Sequence, residues 1–498
     1  MPGFLAMRPA KAATVMLVVA AAWAASNGLW FAADASRRYR AEAAWFAFAA
    51  VLIAVAAWAI AERRYAMAKP HPSSLRESLP ALAGLLLMAL ALYWPMLPLG
   101  LLSDDFVLLS RAQSGLLLDR SWEFVRPLPL ALWRIANAPP ALHALNIALH
   151  GVNAWLTAIV AMRFGLTRIA ALLAGLLFVA LPSSVEAVAW AAGIFDVLLA
   201  TLILAACVVT TTMTPGTRRT VLTALLTAAA LATKETAVVT PAILVIASLG
   251  TSQRMRHGLA PIACSAIVVA LYMAVRISAG FASTPPAADI SGYVLKELVS
   301  RPFATLGLPF HVELLRSYRW IAYVFAVLWP LLFVLSASQW RSDRAAAIRV
   351  LACAAWILVS ILPLATMLFI ADDLQGSRYL YLGSAAFSIM LLALVSNMDQ
   401  MVQMLVAISL IALFAVATRS HQSAWIAAAH ERDRVLAAFR DGHIDCAAAQ
   451  VGGLPDHVQG AYVFRNGFNE AVRRITPPAE AQAPCALRWD GERFTVAR

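Results

Sequence analysis

Two adjacent carboxylates, Asp104 and Asp105, stand in GLLSDDFVLLSRAQSG, directly after an apolar run. Neighbouring carboxylates repel each other and each resists desolvation, so close to lipid they need compensating donors or a hydrated cavity. In such a cavity a carboxylate can take the proton of a hydroxyl as a general base. Other charged groups stand at the ends of further apolar runs. Glu186 and Asp196 lie in LPSSVEAVAWAAGIFD, Lys234 and Glu235 in LATKETAVV, and Asp372, Asp373, Arg378, Tyr379 and Tyr381 in ADDLQGSRYLYLGS. Arg378, Lys234 and Arg126, the last from SWEFVRPLPLALWRIANAPP, suit a phosphate, while the carboxylates suit a hydroxyl proton. Plainer roles are open to several of them. Lys234 beside Glu235 equally suits a local ion pair, and Arg378 followed by tyrosines suits an anchor at headgroup depth. Asp196 is harder to dismiss, because a carboxylate inside a membrane span requires a partner or water. In HALNIALH, His143, Asn146 and His150 recur at i, i+3 and i+7 on one helical face, which fits bundle packing or a metal or substrate contact.

These residues have to be held by elements that the composition defines. Of 498 residues, 61% are hydrophobic and 13% charged, against about 25% charged in soluble domains. The chain reads as a polytopic membrane protein. Its net charge of +12 is dispersed in short clusters between apolar runs, so it marks membrane topology and not a nucleic-acid partner. The apolar runs have the length of helices that cross about 30 Å of hydrocarbon, without the alternation of a barrel. The expected fold is therefore all-α, with thirteen spans near 11–32, 41–60, 80–98, 141–162, 168–182, 187–213, 220–233, 236–250, 259–278, 317–338, 350–370, 379–396 and 400–418. The two short spans around Lys234 also suit one re-entrant unit. An inside N-terminus puts Arg63, Arg64, Lys69, Arg76, Arg163, Arg168, Arg218, Arg219, Arg254, Arg256, Arg341, Arg344 and Arg349 in cytoplasmic connections. The cluster SRRYR at 36–40 dissents. The first span has no small-residue cleavage site and reads as a retained anchor.

This topology divides the chain into a two-helix region 1–79, a membrane domain 80–418 and a small extracytoplasmic domain 419–498. Loops 99–140 and 279–316 share the outer face with that last domain. The first loop suits an interfacial helix limited at its start by Pro127 and Pro129. In the tail, HERDRVLAAFRDGH and HVQGAYVFRNGFNEAVRRI read as two soluble amphipathic helices. Its cysteines, Cys446 and Cys485, are expected to form a disulfide in an oxidising compartment.

In their order along residues 80–400, LLSDDFVLLSRAQSG, RPLPLALWRI, HALNIALHGVNAWL, FVALPSSVEAVAWAAGIFDVLLA, LATKETAVVTPAILV and SRYLYLGS resemble the membrane part of the transmembrane and tetratricopeptide-repeat O-mannosyltransferases and their bacterial relatives, which are GT-C glycosyltransferases. The resemblance implies a GT-C-like bundle in the inner membrane that moves a sugar from a polyprenyl-phosphate donor to an acceptor hydroxyl of a protein, glycan or lipid, outside the cytoplasm. Asp104 or Asp105 then matches the family's acidic motif, as base or as organiser of the acceptor. Arg378, Lys234, Tyr379 and Arg126 would face the donor phosphate, and Glu186, Asp196, Glu235, His143 and His150 would line the cavity. Where the family reads P-x-H-x-E-x-V and G-R-x-D, this chain has Ser184 in place of the histidine and Ile194 in place of the arginine. Tetratricopeptide repeats are replaced by the short tail. No Walker A or G-x-G-x-x-G sequence is present. No cofactor is required, and a divalent metal is compatible with the paired carboxylates although no ligand spacing specifies one. The competing class is a transporter or flippase of lipid-linked sugars, which would gather its polar groups at the bilayer midplane and not at helix ends.

Overall fold

The computed structural model describes residues 79–115, 125–251, 258–279, 292–337, 343–364, 368–442, 450–475 and 486–496. The expected spans at 11–32 and 41–60, and the pairing of Cys446 with Cys485, lie outside these residues.

Helices dominate in chain order: α1 (Leu79–Tyr93), α2 (Asp104–Ser114), α3 (Pro127–Ile135), α4 (Pro139–Arg163), α5 (Arg168–Ala180), α6 (Val185–Ala189), α7 (Ile194–Thr212), α8 (Thr217–Leu231) and α9 (Thr240–Gly250). They are followed by α10 (Leu259–Ser278), α11 (Gly292–Gly307), α12 (Val312–Ser317), α13 (Trp320–Ala337), α14 (Arg344–Ile361), α15 (Tyr381–Leu394) and α16 (Gln400–Asp441). Among the described residues, 7 helical segments are long and apolar enough to cross a membrane, and the segments 168–180 and 182–189, bent by 54° at their junction, make up to 8. Shorter apolar helices at 235–250 and 320–332 accompany them.

At the centre lies α4, packed against α1, α5 and α7, while α14 and α15 pair beside α9 and α5. Gly151 lets α1 come close, since a Cβ there would lie 2.9 Å from the Leu86 backbone. Small residues serve bilayer helices in this way, because close packing replaces the missing hydrophobic drive. A polar spine runs along the same helix. Asn146 donates to the carbonyls of Trp190 and Ala191 at 2.9 and 3.2 Å, and Asn153 to the carbonyl of Val197 at 3.0 Å. At the periphery, α10 leaves Ile267, Leu271, Val275 and Ile277 exposed, as a lipid-facing helix would.

The boundary expected at 418/419 falls inside α16, which runs unbroken for 42 residues. Composition changes there from apolar to polar, yet no glycine or proline interrupts Gln400–Asp441, so the backbone continues. The second expected tail helix is also corrected. Its first half forms a hairpin, β2 (His457–Val458) with β3 (Ala461–Tyr462), and only Phe468–Ile475 is helical, as α17. Positive φ angles at Gln459, Gly460 and Gly467 account for the break. Around the hairpin, β1 (Gln450–Gly452) pairs parallel to β4 (Ala486–Trp489), which pairs antiparallel to β5 (Phe494–Val496). Phe439 of α16 meets Phe468 and Phe494 edge-on, and Phe464 stacks on Phe106 of α2. The tail therefore packs against the bundle next to the acidic pair.

Candidate functional site

The site begins where α5 stops. Pro182 disfavours helical geometry at the preceding residue, and Leu181 is extended at φ −69° and ψ 119°. After α6 the chain extends again at Trp190, turns once through Ala191–Gly193, and enters α7. This break exposes backbone N–H groups that a continuous helix would consume. Asp105 uses one of them: its Oδ1 accepts from the Ala192 N–H at 2.7 Å and its Oδ2 from the Leu102 N–H at 2.9 Å. The side chain is fully buried, and burial pushes its carboxyl well above the usual carboxylate range, opposed by those two donors and by Arg432.

The loop before the acidic pair is held carbonyl by carbonyl. Arg432 of α16 donates to the Leu99 and Leu101 carbonyls at 2.8 and 2.9 Å, His143 to that of Gly100 at 2.9 Å, and Trp190 to that of Leu102 at 3.1 Å. Gly100 has φ +77°, and a Cβ there would sit 2.6 Å from the Arg432 guanidinium, so only glycine fits. Asp104 is treated differently from its neighbour. It is partly exposed, and its Oδ1 accepts from the Asn466 side chain at 2.7 Å. Its Oδ2 has no partner among the described residues.

Beside this loop the charged residues form a row. Buried Glu186 accepts from the Arg378 guanidinium, from the Arg378 N–H at 3.2 Å and from Ser377 Oγ at 3.4 Å. Arg378 also donates to the Tyr462 and Tyr379 hydroxyls at 3.0 and 3.1 Å and lies over the rings of Tyr379, Trp190 and Tyr462. Tyr379 separates it from Lys234, whose Nζ lies 5.3 Å from the same ring and 2.5 Å from Asp196 Oδ1. Next comes Phe195, beneath Arg126, which binds both oxygens of Glu235 at 2.8 to 3.2 Å. Side-chain exposure is 16% and 1% for Arg378 and Glu186, 7% and 10% for Lys234 and Asp196, and 21% and 19% for Arg126 and Glu235. Burial, with Glu186 close by, pushes the Tyr462 hydroxyl up to about 12, so it stays protonated at neutral pH and can donate as well as accept.

Asp104, Asp105, Glu186, Asp196, Lys234, Glu235, Arg126, Arg378 and Tyr379 thus all stand at one end of the bundle. Lys234 and Glu235 do not pair with each other, as their adjacency suggested, but each binds a partner on another element. His143 joins the group through the Gly100 carbonyl. His150 lies apart in the core, where its Nδ1 meets the Tyr381 hydroxyl at 2.7 Å and its Nε2 the Val179 carbonyl at 3.2 Å. That corrects its expected place in a substrate cavity, because both ring nitrogens are consumed by packing partners. Asp372 faces Arg301 at the surface, and Asp373 accepts from the Gln375 N–H within its own turn. Among the described residues no three His, Cys, Asp or Glu side chains gather as a metal-binding group.

Four residues of the site are absent from the sequence expectations: Trp190, Arg432, Tyr462 and Asn466. For Arg432 a signal existed, since it interrupts the apolar face formed by Trp425, Ala428, Val435 and Phe439 on one helix. No family model, curated protein or solved structure matches the chain.

Proposed function

We propose that this chain is a GT-C-type glycosyltransferase of the inner membrane that transfers a sugar from a polyprenyl-phosphate donor to an acceptor hydroxyl on the extracytoplasmic side. In this reading the bundle has the thirteen spans expected from the sequence, and the tail from about residue 419 is extracytoplasmic. Asp104 takes the hydroxyl proton. The acceptor oxygen forms its bond to the anomeric carbon as the bond from that carbon to phosphate oxygen breaks, and polyprenyl phosphate leaves. Arg126, Lys234 and Arg378 offset the charge that gathers on the departing phosphate. Asp105 does not exchange protons with substrate; it fixes the loop that carries Asp104.

The observation that carries the reading is the contrast between Asp104, with one carboxylate oxygen uncommitted, and Arg378, which heads the row of ion pairs and is held by Glu186, Trp190 and Tyr462. A base near the acceptor and cations near the leaving group address both ends of one displacement. Reconstitution into proteoliposomes with a radiolabelled polyprenyl-phosphate sugar tests it. Label should pass to an acceptor and the donor should be consumed. Label that crosses the bilayer still attached to its lipid would make the protein a flippase.

A further inference from the structure

The end of the bundle opposite the acidic pair carries a second polar concavity. Three turns converge there: α4 to α5, the start of α14, and α15 to α16. They enclose a cavity of about 210 Å³ lined by Thr167, Asp343, Arg349, Ser396, Asn397 and Gln403 together with Gly165, Leu166 and Ala170. The volume corresponds to about seven waters at liquid density, which is room for a phosphodiester head.

The carboxylate at this cavity is spent. Asp343 Oδ1 caps α14 by accepting from the Ala346 N–H at 3.1 Å, and its Oδ2 meets Arg349 at 3.4 Å. Gln403 spends its amide protons on the Ser396 and Met398 carbonyls at 3.1 and 2.9 Å, but Arg349 is poorly used. Arg349 reaches its two partners, Asp343 and the Phe164 carbonyl, only at 3.4 and 3.5 Å, the long limit of hydrogen bonding, and its buried Nε has no partner. Asn397 is exposed at the rim with no hydrogen bond among the described residues, and the Thr167 hydroxyl accepts from the Ala170 N–H while its own proton remains available. Arg168 and Arg344 begin the two helices that flank the opening. An under-coordinated guanidinium, open side-chain donors on Asn397 and Thr167 and flanking arginines at the end of apolar helices suit a ligand that only accepts.

We infer that this cavity binds a phosphate group, and that its source is the headgroup of an anionic phospholipid. The inference does not depend on the transferase reading. Guanidinium recognises phosphate through two parallel donors, so Arg349 is the anchor, with Asn397 and Thr167 completing the shell.

The test is native mass spectrometry of the full chain, purified and then exposed to an equimolar mixture of phosphatidylglycerol and phosphatidylcholine. The parent should retain phosphatidylglycerol over phosphatidylcholine by about tenfold or more, the scale of one charge-assisted contact. Arg349→Gln should abolish that preference. Asn397→Trp, which blocks the rim without touching the Arg349 contacts, should do the same while melting like the parent. Excess inorganic phosphate that leaves the lipid bound supports the lipid source, whereas phosphate that strips it keeps the anion site and assigns it to a soluble phosphate. Equal retention of both lipids by the parent, or undiminished selectivity in both variants, would overturn the inference.

Discussion

The polar spine of α4 and the ion-pair row at the helix ends are both buried, yet they treat their polar groups in opposite ways. Along the spine, Asn146, His150 and Asn153 are neutral and bind backbone carbonyls or the Tyr381 hydroxyl. In the row every group carries charge and binds an opposite charge from another element, and the Arg126–Glu235 pair is the most exposed. Neutral groups on backbone carbonyls specify packing, because a buried amide keeps its hydrogen bonds only in one arrangement of the helices. Ion pairs between separate helix ends are poor glue, since desolvation offsets most of their attraction. Their concentration at one end beside a partly exposed carboxylate is what distinguishes a site from a core.

The sharpest break of this contrast is Arg378→Ala, which leaves Glu186 buried and unpaired. Losing one partner of a buried pair costs about 3 to 5 kcal/mol, and thermal unfolding in detergent should show it. Glu186→Gln added to Arg378→Ala should recover much of that loss; if it does not, stability there comes from ring stacking and not from charge. Asn153→Leu comes next. It removes one donor from the Val197 carbonyl, which keeps the Thr201 hydroxyl at 2.9 Å, and weakens the Tyr381 contact, for a loss of about 0.5 to 1.5 kcal/mol. Sugar transfer per folded molecule should be unchanged, and a fall in specific activity would move the spine into the site. The smallest effect belongs to the exposed pair of Arg465 with Asp456. Arg465→Ala should shift stability by less than about 1 kcal/mol, and a larger shift would mean that the tail's attachment to the bundle depends on it.

Much of the bundle was legible, because apolar length alone predicts where helices fall. Each expected span from 80–98 onward has a helix in or near it. What composition could not convey was continuity. The polar half of α16 looks like a separate soluble helix, but helix formation depends on backbone freedom and not on polarity, so the element runs from Gln400 to Asp441. The site was legible as a set of residues and not as a set of pairs. Lys234 and Glu235 are neighbours in sequence, and only tertiary packing sends one to Asp196 and the other to Arg126. Tyr462 and Asn466 were hidden for a related reason. A hydroxyl and an amide in a polar tail carry no sign that they face Arg378 and Asp104, 84 and 362 residues away.

The two neighbouring aspartates provide the most direct measurement. Asp104→Asn preserves shape and the contact with Asn466 after an amide flip, but removes the base. Asp105→Asn turns an amide N–H toward the N–H of Leu102 or Ala192, so the loop loses its anchor. In proteoliposomes with a labelled polyprenyl-phosphate sugar, Asp104→Asn should slow transfer by about 100-fold or more at parental abundance and melting temperature. Asp105→Asn should lower the melting temperature, and with it the yield of active protein. Transfer by Asp104→Asn at the parental rate would show that this carboxylate is not the base.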